Sequence, residues 1–339
     1  MSDPVEQFLD QCSACDQCST VCPFLEKHGE PSDIIANRPQ LSFLCTNCTG
    51  CDRRCPLDLS PSRALFATKE RLIREGRVPV KAAEALKGAR SFAERGHRSP
   101  FVRYDGTRTA FWPGCSLAGT SPEAVTLTRG ILSEALGEDI GLILDCCFDP
   151  LFQMGDTVPV REAVSRIRDR VRGYRIERII VGCANCRKVF DLYPIGVRVE
   201  YVLEVLPQDL LKKVPENDLY LHYPCPFYHV DGIRERARAI LANAVEEVDD
   251  QRIPACCGLG GSLGSQDPEL AARFAERVTM EAYGASIVTA CMGCVNTFLK
   301  RDRETYHILD LITGAKPRAR AVSSAKKWAN RLMLAKGKI

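Results

Sequence analysis

The sequence predicts an α+β protein, with a mainly helical N-terminal region followed by two copies of an α/β unit. Three observations predict it. Eight cysteines crowd the first 55 residues in two matched runs, the other ten form two sets of five with repeating spacing, and short apolar strands alternate with helices around those ten. At 339 residues with 45% hydrophobic side chains, the chain can bury several cores without disulfide staples, so its 18 cysteines need another role. The opening Met1-Ser2-Asp3-Pro4-Val5-Glu6 carries acid and no basic-then-apolar export pattern, from which a cytoplasmic, reducing compartment is expected. There, cysteines at short fixed spacing read as metal ligands.

Residues 1–60 hold the first two runs. Cys12, Cys15 and Cys18 are followed by Cys22-Pro23, and Cys45, Cys48 and Cys51 by Cys55-Pro56. Two-residue gaps let one tight loop aim three thiolates at three corners of a cubane, with the fourth ligand supplied from elsewhere. The runs resemble a bacterial two-cluster ferredoxin. By its crossed logic Cys12, Cys15, Cys18 and Cys55 hold one 4Fe-4S cluster, and Cys45, Cys48, Cys51 and Cys22 the other. Zinc knuckles are the competing reading, although they close four ligands around one ion, usually as two pairs. The stretch from Pro23 to Leu44 is polar without strand alternation. In the connecting region 61–106, Ser62 to Glu75 and Val80 to Glu94 read as helices.

The remaining cysteines repeat. Cys115, Cys146-Cys147, Cys183 and Cys186 recur 108 or 110 residues later as Cys225, Cys256-Cys257, Cys291 and Cys294, which divides this part into units 107–207 and 218–312. Each copy opens with a strand running into a cysteine, Thr109 to Cys115 and Leu219 to Cys225. A helix follows, capped by Ser121 with Pro122 at its first turn and stopped near Gly137 in one copy, and spanning about Ile233 to Val245 in the other. The Cys-Cys pair comes next, after Leu142-Ile143-Leu144-Asp145 in the first copy. A second helix, capped by Asp267 and closed by Gly284 in the second copy, leads to a last strand, Arg178 to Gly182 or Ser286 to Ala290, that ends in Cys-x-x-Cys. Alternating strands and helices imply parallel sheets, whose carboxyl ends share one crevice. Five thiolates per copy then face a single site, more than a zinc ion or a simple cubane takes.

Cys256-Cys257-Gly258 followed by Cys291-Met292-Gly293-Cys294 resembles the cysteine-rich CCG domain of heterodisulfide reductase catalytic subunits. The same domain occurs in iron–sulfur subunits of glycolate, lactate and anaerobic glycerol-3-phosphate oxidising systems. With the ferredoxin part, the likeness spans about residues 5–310 and matches the layout of a fused heterodisulfide reductase subunit. It implies one or two noncubane 4Fe-4S clusters, one on Cys115, Cys146, Cys147, Cys183 and Cys186 and one on Cys225, Cys256, Cys257, Cys291 and Cys294. It also implies that these ten ligands carry the reactive clusters. Gly258, Gly260 and Gly261 let backbone amides approach cluster sulfides. The first copy departs from this, with Phe148-Asp149-Pro150 where those glycines would stand, so its site either holds its cluster differently or holds something smaller.

The activity so implied is that of an oxidoreductase subunit acting on a sulfur group. Electrons from a flavoprotein or other redox subunit pass through two 4Fe-4S clusters to CCG clusters that reduce or form a thiol disulfide. The alternative is an electron-relay subunit of a flavin dehydrogenase complex, of hydroxy-acid or glycerol-3-phosphate type, feeding quinone. Gly258 to Gly264 reads as a cluster-cradling loop rather than a dinucleotide fingerprint, whose third position falls on Leu263. His222 and His229 flank Cys225, either as proton donors to a departing thiolate or as packed or surface residues. Lys188 reads as a solvated helix residue.

Net charge is +3, but eight Lys and Arg and no acid follow Asp310, so the body is mildly acidic, unlike a nucleic-acid binder. Within the tail, 313–339, a helix from Ala325 aligns Trp328, Ala329 and Leu332. This is either a contact to an anionic membrane or membrane subunit, placing the protein at the cytoplasmic membrane's periphery, or a frayed solubilising tail.

Overall fold

The computed structural model describes residues 3–207, 210, 211, 215, 218–242, 253–317 and 319–338. By tertiary contact the chain forms two units. The first is Met1–Ser91, Pro150–Val160 and Asp250–Glu281, and the second Phe92–Asp149, Arg161–Asp249 and Ala282–Ile339.

The first unit is helical. Pro4–Gln11, Pro23–His28, Pro31–Asn37, Pro61–Arg74 and Pro268–Glu281 all open on proline, whose missing N–H would be unpaired there anyway and whose fixed φ suits a first turn. Asp3 and Asp267 cap two of them, accepting from Val5 N and Leu270 N at 2.9 Å. Val5, Phe8, Phe24, Leu25, Ile34 and Leu65 form the core together with Leu270 and Phe274. A helix from the second cysteine repeat therefore completes the core around the N-terminal cysteine runs. The helices read from the sequence over Ser62 to Glu75 and Val80 to Glu94 are Pro61–Arg74 and Val80–Gly96.

The second unit contains two parallel sheets. Strands β1 (Thr109–Trp112), β2 (Ile140–Leu142), β3 (Arg178–Val181) and β4 (Arg198–Tyr201) lie in the order β2-β1-β3-β4. Strands β5 (Leu219–His222), β6 (Ser286–Thr289) and β7 (Thr305–His307) lie in the order β5-β6-β7. The central strands β1 and β6 are buried along their whole length, as parallel strands covered on both faces must be. Edge strands β4 and β7 gave no signal in the sequence: Arg198-Val199-Glu200-Tyr201 is half polar, and β7 has three residues. The helix Pro122–Leu136 ends on Gly137 in the left-handed region, as its sequence predicts. Its second-copy counterpart runs Ile233–Leu241 with Ala242 as its C-cap, and the rest of the expected continuation to Val245 lies outside the described residues.

The basic tail forms the helix Ser324–Ala335, capped by Ser323, and packs on the helix Cys115–Thr120. Its inward residues are Asn330, Arg331 and Leu334, whereas Ala325 and Ala329, expected on the apolar face, are exposed. Asn330 Nδ2 donates to Gly119 O at 2.7 Å, and Trp328 lies between Phe92 and Phe101, with ring centroids 5.4 and 4.8 Å away. The polar anchor and the aromatic pocket fix the phase of the helix, overriding the simple hydrophobic stripe.

Candidate functional site

In the first unit Cys12, Cys15, Cys18 and Cys55 line one pocket. Ala14 and Asp16 adopt left-handed φ values of 52° and 58°, and Asn47 and Thr49 repeat this at the matching places of the second run, with 54° and 63°. Such backbone coils each loop tightly enough for its thiols to converge, and Asn47 N donates to Cys45 Sγ at 3.4 Å. Burial pushes the Cys22 thiol up, and nearby Cys48 and Cys45 push it further. Cys51 rises for the same reason, with Asp52, Cys45, Cys22 and Cys48 beside it. The geometry thus groups Cys22 with the second run and Cys55 with the first. Buried sulfurs that resist becoming thiolates together fit a cationic iron core, which reverses both penalties.

Lys69 is a residue that sequence reasoning missed. It is fully buried, and its Nζ donates to Cys45 O (2.7 Å), Asn47 Oδ1 (3.1 Å) and Gln153 O (3.1 Å), while burial lowers its pKa to about 8. The signal was present: Leu65, Lys69 and Leu72 share a helix face, which places a lysine at a core position. Gln153 Oε1 accepts in turn from Gly261 N at 2.9 Å. The glycine loop therefore lies against the second cysteine run, with Cys256 Sγ 3.3 Å from Thr46 Oγ1 and hydrogen-bonded to Cys48. An added Cβ at Gly258 would fall 2.5 Å from Ala271 O, and Gly258 N donates to Cys256 Sγ at 3.3 Å. Cys257 is buried in the same unit.

All five cysteines of the first repeat meet in the second unit. Cys115 follows β1, Cys146-Cys147 follow β2, and Cys183 and Cys186 follow β3, so parallel pairing delivers all three groups to one edge. Cys115 is hydrogen-bonded to Cys146, Cys186 to Cys183, and Cys186 Sγ lies 3.2 Å from Cys147 Sγ, too far for a disulfide bond. Gly114, at φ 82°, permits this approach, because a Cβ there would lie 2.7 Å from Cys183 Cβ. The Cys146 hydrogen bond holds the Cys115 thiol down to about 7 against burial, with help from the charge of Arg331. Asp145 fixes the pair's backbone: its carboxylate accepts from Cys146 N (2.7 Å), Tyr104 OH (2.9 Å) and Arg170 Nη1 (2.7 Å), and pairs with His97 Nδ1 at 2.6 Å. Arg166 Nε donates to His97 Nε2 at 3.1 Å, which leaves the proton on Nδ1 facing the carboxylate.

Phe148 stands in the first copy where the second has Gly258. Its φ is 62°, in the left-handed region that Gly258 occupies at 77° in the second copy. In the first copy a buried phenylalanine bears the strain, its ring 5.5 Å from that of His97, and the helix Asp149–Gln153 starts at once, whereas the second copy runs through its glycine loop to a helix at Leu263.

Of the second repeat, Cys225, Cys291 and Cys294 belong to the second unit. Cys294 and the amides of Cys294 and Gly293 hold Cys291 down to about 7. Lys188, expected to be solvated, is buried and paired with Asp149 at 2.9 Å. The Asp149 carboxylate outweighs burial and lifts the ammonium above its usual value, with Cys225 and Cys147 adding to the effect. Buried Tyr201 donates to Ala290 O at 3.2 Å, and burial together with Cys183, Cys291 and Cys186 pushes its phenol well up. Asp149, Lys188 and Tyr201 thus stand among cysteines of both repeats. Their polar side chains on otherwise ordinary elements gave the sequence no signal. His222 is buried against Thr289 Oγ1 at 3.0 Å, and His229 is exposed. Among the described residues no three His, Cys, Asp or Glu side chains are arranged around a point for a lone metal ion.

Residues 219–299 match the family model described as the CCG cysteine-rich domain. The match falls within the second cysteine repeat. It is 27% identical, over 84% of its length and 66% of the other's, to a subunit of the fumarate reductase (CoM/CoB) of Methanothermobacter marburgensis. An uncharacterized iron–sulfur protein of Methanocaldococcus jannaschii is 24% identical over 87% of this chain and 69% of its own. A subunit of the dihydromethanophenazine:CoB–CoM heterodisulfide reductase of Methanosarcina mazei is 24% identical over 55% and 52%. The chain spans about two thirds of the first two relatives and half of the third. Its fold is similar to that of a hypothetical protein from Helicobacter pylori, with TM-score 0.55, 9% identity, and coverage of 97% of this chain and 75% of that one. The chain is thus similar, at low identity, to iron–sulfur proteins that include a heterodisulfide reductase subunit, with the CCG match confined to residues 219–299.

Proposed function

We propose that the chain is the iron–sulfur subunit of an oxidoreductase complex in which CCG-domain clusters reduce or form a thiol disulfide. The observation that carries the reading is the convergence of Cys115, Cys146, Cys147, Cys183 and Cys186 at the carboxyl edge of β1, β2 and β3. Sulfurs in pairwise hydrogen-bond contact, with the Cys115 thiol held down by Cys146, are a donor set for a cluster larger than a single ion. The spacing of Cys225, Cys256, Cys257, Cys291 and Cys294 supports assigning them as a second set. Cys12, Cys15, Cys18 and Cys55, and Cys22, Cys45, Cys48 and Cys51, are the ligand sets of two cubane 4Fe-4S clusters.

Iron–sulfur clusters, when bound, supply single electrons, and a pair of them matches the two a disulfide requires. The chain's own residues do the rest. Asp145 locks the Cys146 backbone, Lys188 and Asp149 place a neutral ion pair beside Cys147, and Tyr201 closes the space near Cys183, Cys186 and Cys291. A flavoprotein or other redox subunit is the proposed electron donor, and a small thiol or disulfide the substrate. The relay reading, an iron–sulfur subunit of a flavin dehydrogenase complex, leans on the missing glycine after Cys147 and on the basic tail, and two complete five-cysteine sets favour disulfide chemistry over it.

Iron and labile sulfide in anaerobically purified protein test the proposal. About sixteen irons are expected, falling by about four in a Cys183→Ser/Cys186→Ser variant. About eight irons, unchanged in that variant, would confine iron to the N-terminal runs and end the disulfide reading.

A further inference from the structure

Arg331 enters the first five-cysteine site from the C-terminal helix. Its side chain is 3% exposed, and within it Nη1 is buried without a hydrogen-bond partner. Nη2 donates to Gly96 O at 3.3 Å, and the guanidinium sits over the Trp328 ring, 4.5 Å from its centroid. Gly96 marks how close the group comes to the site: a Cβ there would lie 3.0 Å from Nη2, 3.3 Å from Nη1 and 3.2 Å from Cys146 Cβ. Among the described residues Arg331 has no carboxylate partner, and both oxygens of nearby Asp145 are already engaged. A buried cation with an idle donor is costly unless an anion meets it. Thiolate-ligated iron–sulfur clusters are such anions, with sulfur atoms that accept N–H bonds.

The geometry points to Arg331 as the counter-ion of a cluster on Cys115, Cys146, Cys147, Cys183 and Cys186, donating from Nη1 to one of its sulfurs. The inference rests on the function proposed above for that site. It gives the C-terminal helix, which lies outside the residues matched to the CCG model, a role at the first site: the helix delivers the charge, and Trp328 and Gly96 hold the guanidinium's plane. A counter-ion favours the more negative, reduced state of its cluster, so it raises that cluster's midpoint potential.

The test compares wild type, Arg331→Gln and Arg331→Lys, all purified anaerobically, by redox titration followed by EPR. The first-site signal is identified by its loss in Cys183→Ser/Cys186→Ser. In Arg331→Gln its midpoint should move to lower potential or its iron be lost, with the N-terminal cluster signals unchanged. Arg331→Lys should restore much of the potential. A second measurement needs no variant: in wild type grown with isotopically labelled arginine, pulsed EPR of the first-site signal should show coupling to one guanidinium nitrogen. A first-site signal with neither the coupling nor the shift overturns the inference, as does a shift seen only on adding thiol substrate. A wild type lacking the first-site signal overturns the proposed function instead.

Discussion

Two buried groups show how local environment sets chemistry that the sequence could not announce. Lys188 follows Cys186 by two residues on a helix whose outer positions are charged, so its position alone reads as solvated. Asp149, which follows Cys147 by two residues, turns that side inward by pairing with it. His307 lies at the end of β7, where its Nδ1 accepts from Leu309 N at 3.2 Å, and burial lowers its pKa to about 4. Its folded pKa lies below the ordinary 6.5, so between these values the unfolded chain binds the proton and the native chain does not. Stability from this residue is therefore complete above about pH 6.5 and lost as pH falls toward 4. Wild type is expected to lose about 2 kcal/mol more than His307→Gln between about pH 7 and about pH 5, read by urea unfolding at both values. An equal loss in both would place the imidazole's titration elsewhere.

The elements were legible where periodicity and caps agreed. Pro122–Leu136 lies where Pro122 and Gly137 put it, although the Ser121 hydroxyl donates to Asp310 Oδ1 at 2.7 Å instead of capping the helix, and β3 and β6 carry the apolar runs that buried parallel strands need. The cysteine groups could be placed at strand ends because every strand that precedes one is apolar. Edge strand β4 escaped notice because its exposed side permits polar residues, and β7 because it is three residues long. The tail helix is legible but its rotation is not, since Asn330 and Arg331 point inward where a hydropathy count would turn them out. A chain ending at Gly314 should lose about 2–4 kcal/mol of stability in denaturant unfolding, the scale of withdrawing Leu334 and half-buried Trp328 from their contacts. It should float with anionic liposomes no differently from the full chain. Flotation of the full chain alone would return the helix to a membrane role.

The molecule as a whole departs most from a linear reading. Spacing exposed the duplication, yet nothing in the spacing shows that Cys256, Cys257 and Pro268–Glu281 join the unit built around the N-terminal runs. That membership arises from packing between residues far apart in the chain, such as Ser262 Oγ donating to Phe43 O at 3.0 Å. A fragment of residues 1–106 lacks Leu270 and Phe274 from its core. It should therefore show weak near-ultraviolet circular dichroism and fast amide exchange, whereas adding residues 150–160 and 250–281 by linkers should restore protection. Full protection in the short fragment would mean that the missing helix is dispensable.

That late-arriving helix also orders events at the ribosome. The first cysteines emerge early, but the wall that encloses them is not translated until residue 281, so their thiols wait, exposed, through most of the chain's synthesis. A message broken anywhere before that point yields a product without Leu270 and Phe274 in that core, open to proteolysis.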